Sequence, residues 1–77
     1  MSSGSEVIIA GRAFTLGAIY APRRGVSGPH QPRRLLEYST ESPLPGGRVT
    51  VAVVPSGRER IMAGAEWAAW AGEELAV

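Results

Sequence analysis

The chain contains no cysteine, lysine, aspartate or asparagine, and one histidine, His30. Without cysteine there is no disulfide and no thiolate metal site, and one histidine cannot build a His-rich centre, so neither a metal nor a cofactor is expected. No apolar run approaches the roughly 20 residues that span a bilayer. The opening Met1-Ser2-Ser3-Gly4-Ser5 lacks the basic flank and apolar stretch of a signal peptide. A cytoplasmic protein without membrane contact is expected. A phosphate-cradling glycine loop is also missing: Gly46-Gly47 leads towards a strand and is not followed by Lys-Ser.

At 77 residues there is room for one domain and one core. Such a chain buries roughly 60–65% of its unfolded surface, so its margin of stability is small. With disulfides excluded and no metal expected, a tight core or a partner chain must supply the rest. Residues 1–5 read as a flexible lead-in and 6–77 as a single small β domain.

All eight basic side chains are arginines. This points first to a GC-rich, bacterial coding genome and only then to selection for guanidinium chemistry. Their placement is more informative. From Val7 to Leu36 there are five arginines and no acid, and from Glu37 to Val77 three arginines and six glutamates. A basic first half therefore precedes an acidic second half.

Apolar patterning predicts strands over Glu6–Ala10 and Ala13–Tyr20, joined by a Gly11-Arg12 turn. That register pairs Ile9 with Phe14 and Val7 with Leu16 on one face, with Ala18 beyond. Gly17 suggests a bulge or close approach within the second strand. Ala21 to Pro32 is a long loop with three prolines and two glycines, and Glu41–Gly47 a second loop. Arg33–Thr40 resumes as a strand. Arg48–Val54 is the strongest strand, apolar on both faces and hence central. Pro55-Ser56-Gly57 is the turn of a second hairpin, with Gly57 in the left-handed position and Arg58–Met62 returning. In the tail, Trp67, Trp70, Ala71 and Leu75 fall at helical spacing and predict a short helix; a last strand is the alternative. No Ser, Thr, Asp or Asn stands ready to cap that helix.

The fold class expected is mainly β: a small SH3-like barrel or half-barrel of about five strands with a short C-terminal helix. The resemblance to SH3-like small barrels lies in element order alone: strand, long loop, strand, loop, strand, tight hairpin, terminal element. It implies no ligand.

Two surfaces are candidates. Arg23-Arg24 and Arg33-Arg34 bracket the long loop around His30, and four guanidiniums gathered there would suit a polyanion such as nucleic acid. Against this stands a solvated loop base in an arginine-biased chain. The second is the Trp67, Trp70 and Leu75 stripe, a surface for a second copy unless the tryptophans close the core of a monomer. No catalytic residue is expected. His30 has Ser27 nearby but no carboxylate within the loop to orient it, and nothing fixes Glu37 and Glu41 as an acid–base pair. The reading is a non-enzymatic binding or adaptor domain that is a homo-oligomer or holds a protein partner; the alternative is a nucleic-acid-binding small barrel.

Overall fold

The computed structural model describes residues 5–25 and 31–75. Seven strands and one short helix follow in order: β1 Glu6–Ile9, β2 Arg12–Thr15, β3 Ile19–Pro22, β4 Arg33–Ser39, β5 Arg48–Val53, β6 Glu59–Ala63, α1 Gly64–Trp70 and β7 Ala71–Leu75. The fold is mainly β. β1 and β2 form a two-stranded sheet, and the other five make an all-antiparallel sheet in the order β6-β5-β4-β3-β7. Among the described residues no helix is long and apolar enough to cross a membrane.

The first hairpin turns one residue earlier than expected. Its turn is Ala10-Gly11, both with positive φ (50° and 83°), and Val7 pairs with Phe14 while Ile9 pairs with Arg12. Two positive φ values are the type I′ geometry, which suits the right-handed twist of a hairpin just as the glycine-first type II′ turn of a Gly11-Arg12 loop would. The slide is two residues along the partner strand, so every side chain keeps its face. Ile9 and Phe14 are buried, and Val7, Leu16 and Ala18 pack beside them. The new register also brings Arg12 onto the inner face opposite Ile9.

Ala13–Tyr20 is two strands rather than one. The chain turns at Gly17 (φ 89°), whose N–H donates to the Leu35 carbonyl at 2.7 Å, and β2 and β3 enter different sheets. β5 is flanked by strands on both sides, yet only its Val49, Val51 and Val53 face is buried.

The tail holds both expected elements in succession, α1 and then β7. The helix begins without a side-chain oxygen cap. Its first amides are satisfied from the β4–β5 loop instead: Gly64 N–H donates to the Gly47 carbonyl (2.8 Å) and Ala65 N–H to Pro45 (3.0 Å). This contact is backbone against backbone. A Cβ on Gly64 would overlap the Gly46 carbonyl oxygen, and one on Gly46 would lie 2.6 Å from the Ala65 nitrogen. At the other end, the Arg12 guanidinium donates to the Ala68 (2.5 Å) and Ala71 (2.9 Å) carbonyls, where a cation also complements the helix dipole. The helix is thus held at both ends by distant parts of the chain.

Between hairpin, helix and sheet lies the core: Ile9, Phe14, Tyr20, Leu35, Val49, Val51, Trp67, Ala68, Trp70 and Ala71. Phe14, Tyr20 and Trp67 meet edge to face at 5.3–5.6 Å, a geometry favoured by the ring quadrupoles, and Trp70 stacks on Trp67 at 5.5 Å. Trp67 has no exposed surface and Trp70 retains 8%. The two tryptophans of the stripe expected as a dimer surface are therefore turned into the chain's own core. Helical spacing showed that the two indoles share a side, but not which side the rest of the chain would cover.

Candidate functional site

The β4–β5–β6 register decides which arginines meet. Arg33 pairs with Val53, Leu35 with Val51, and Val51 with Arg60. Paired residues share a face, so Arg33 and Arg60 lie on the core side of the sheet with Val51, Val53 and Met62. They occupy the end of that face which the hydrophobic core leaves open. There an open groove of about 580 Å³ is lined by Arg33, Arg60, Ile61 and Met62 from the sheet, by Glu66, Ala69 and Trp70 from α1, and by Gly25. A smaller recess of about 70 Å³ beside it shares Arg33 and Arg60 and adds Gln31 and Val53.

Arg33 sits against the apolar wall of this groove. Its guanidinium lies over the Trp70 ring, 4.4 Å from the centroid, and donates to Met62 Sδ at 3.1 Å, a weak acceptor. Burial lowers its pKa, the neighbouring Arg60 lowers it further, and Glu66 opposes both. The protonated guanidinium is thus less favoured here than in water, and an anion brought between Arg33 and Arg60 would relieve that. Glu66 is partly engaged elsewhere, accepting from the Ala63 N–H at 3.4 Å at the start of the helix.

The β6 edge of the sheet opens beside the groove. Val53 N–H donates to the Arg58 carbonyl at 2.8 Å, so this is a hydrogen-bonded pair. Bonded and non-bonded pairs alternate along an antiparallel ladder. In the observed register, Arg60 and Met62 therefore turn their backbone groups to β5, and Glu59 and Ile61 turn theirs outward. Among the described residues β6 has a neighbour on one side only, and Ile61 is 63% exposed.

The remaining expected residues that are described do not line the groove. Arg34 alternates away from Arg33, and its guanidinium donates to the Gly17 carbonyl at 2.7 Å. Arg23 and Arg24 are exposed beyond β3. His30 and Ser27 lie outside the described residues. Arg33 and Arg34 are thus divided, because adjacent strand residues face opposite sides. Leu75 is half-buried in β7, opposite Ile19 on the outer face.

No family model, curated protein or solved structure matches this chain. The site must be read from its own chemistry. It joins two guanidiniums on one face, an indole and a thioether as walls, and a strand edge that is unpaired among the described residues. This is suited to holding an extended chain by its backbone along β6 while seating an acidic side chain beside Arg60 at the rim of the groove.

Sequence reasoning missed Arg60, Met62 and the pairing of Arg33 with Trp70. The signal was the second hairpin. With the three-residue loop Pro55–Gly57, Val54 would pair with Arg58, which places Arg60 on the outer face opposite Ala52. The loop has four residues, Val54 to Gly57, closed by Val53 and Arg58 and by the Gly57 N–H to the Val53 carbonyl at 2.7 Å. A single-residue change of register moves Arg60 to the groove.

Proposed function

We propose that this chain is a non-enzymatic binding domain on a small SH3-like frame, acting within an assembly, and that the groove beside β6 receives an extended acidic segment of a protein partner. One observation carries the reading: Arg33 and Arg60 share a groove with Trp70, next to a strand edge with outward backbone groups. Strand addition would supply backbone hydrogen bonds, and the guanidiniums would select the acidic side chain. The element order supports the frame. β3 and β4 are separated by the long loop, β4, β5 and β6 follow as a meander, and the last strand returns beside β3. Arg33 is less suited to a purely structural role, since its strong donors meet only a sulfur and an indole face among the described residues.

The test is a fluorescence titration with short extended peptides that bear one glutamate or a neutral glutamine at the same position. Tryptophan emission should change on binding of the acidic peptide, because Trp70 lines the groove. Binding should weaken about tenfold in Arg60→Gln, the worth of one charge-assisted contact of roughly 1.4 kcal/mol, and by less in Arg33→Met, whose guanidinium lies two strands further in. The alternative, a nucleic-acid surface on Arg23, Arg24 and Arg34 with Arg33, would appear as steeply salt-dependent retention on DNA with no response to either peptide.

A further inference from the structure

We infer that the acidic segment which fills this groove is strand β7 of a second copy of the chain, joined head to tail so that the five-stranded sheet continues from one molecule to the next. The inference rests on the binding reading above and names the partner of the same site.

The two edges of the sheet are β6 and β7. All four pairings in the sheet are antiparallel, so these first and fifth strands run in the same direction. A sheet repeated with its faces preserved therefore sets β7 of one copy alongside β6 of the next as a short parallel pair.

Backbone groups are available on both sides. Leu35 N–H donates to the Ala18 carbonyl at 3.0 Å, which by alternation makes Tyr20 and Arg33 a bonded pair and turns the backbone of Ile19 towards β7. Ile19 pairs with Leu75, so Leu75 faces β3 and Glu74 turns its N–H and C=O to the free edge. The outward groups of Glu74 then meet the outward groups of Ile61 and Glu59.

The side chains match by face. Arg60 lies on the core side with Val51, and Glu74, opposite Tyr20, lies on that same side. Ile61 and Leu75 both lie on the outer face. Seating Glu74 beside Arg60 thus also covers the most exposed large apolar side chain of the molecule as described, Ile61. Charges on edge strands ordinarily keep them apart. Here the edges differ in sign: Arg58 and Arg60 flank one, and Glu73 and Glu74 the other. One contact opposes the arrangement, since the same register brings Glu59 towards Glu73 on the outer face. Because the joined surfaces differ, the contact is heterologous and propagates to a ring or a filament.

Sedimentation velocity tests this, from low micromolar to several hundred micromolar protein. The wild type should grow in size beyond a dimer. Arg60→Glu and Glu74→Arg should each weaken association at least tenfold, through like charges across the contact. Mixing the two variants should restore it, because each then offers the edge that complements the other. Glu59→Gln should strengthen it. A wild type that stays monomeric throughout overturns the inference. So does association that ignores both charge reversals, or that mixing fails to restore. Binding of the acidic peptide by a strictly monomeric wild type would keep the groove's reading and reject the second copy; loss of both would reject the two together.

Discussion

Replacing Gly64 by alanine should destabilise the protein, although propensity alone argues the reverse. Alanine in a helix is favoured over glycine by about 1 kcal/mol, and a less flexible unfolded chain adds in the same direction. Gly64, however, meets the backbone of Gly46 so closely that a Cβ would overlap its carbonyl oxygen, and Ile9 Cγ2 stands 3.1 Å from the same point. The β4–β5 loop must then move off the helix start. That loosens the Gly64-to-Gly47 and Ala65-to-Pro45 hydrogen bonds, each worth about 0.5–1.5 kcal/mol net. Strain from overfilling adds about 1–3 kcal/mol. Less the propensity gain, the net loss is about 1–5 kcal/mol, against a total of about 4–12 kcal/mol for a domain of this size. Urea unfolding followed by tryptophan emission reads it directly, because Trp67 and Trp70 are both in the core. A lower midpoint at unchanged slope is the expected result. A midpoint raised by alanine would mean that the loop does not cap this helix.

Other perturbations probe the remaining contacts. Phe14→Ala should cost about 3–5 kcal/mol, since Phe14 touches both Tyr20 and Trp67; a melt little changed from wild type would contradict this core. Arg12→Ala leaves the Ala68 and Ala71 carbonyls without their donor and should cost about 1.5–3 kcal/mol, read by the same urea titration. Ala10→Gly should stabilise the fold by roughly 1 kcal/mol, read as a higher urea midpoint at unchanged slope, by removing a Cβ from a left-handed position. Arg33→Met should leave stability within about 1 kcal/mol or increase it, since a partly desolvated cation gives way to an apolar side chain against Trp70. A large loss in that variant would make Arg33 a structural residue rather than a ligand-binding one.

The faces of the first hairpin were legible because alternation survives a two-residue slide, whereas its turn was not. Alanine at φ 50° is disfavoured locally, and the register it closes is the one that brings Arg12 to the helix end. The tail showed its apolar spacing, but no local signal could show its cap, which comes from the backbone of residues 45–47. Arg33 and Arg34 lie on opposite sides by simple alternation, a fact present in the sequence. The groove was hidden by one residue in the second hairpin loop, where a three-residue turn and a four-residue turn place Arg60 on opposite faces.

The most direct test of the central claim is to follow backbone and indole amides of the labelled protein by nuclear magnetic resonance while an extended glutamate-bearing peptide is added. The expected shifts centre on Arg33, Arg60, Ile61, Met62, Glu66, Ala69 and the Trp70 indole, with the Ile61 amide gaining protection from exchange as the added strand pairs with it, and extend to β7 where the peptide displaces a second copy. Shifts centred on Arg23, Arg24 and Arg34, or none at the β6 edge, would contradict it.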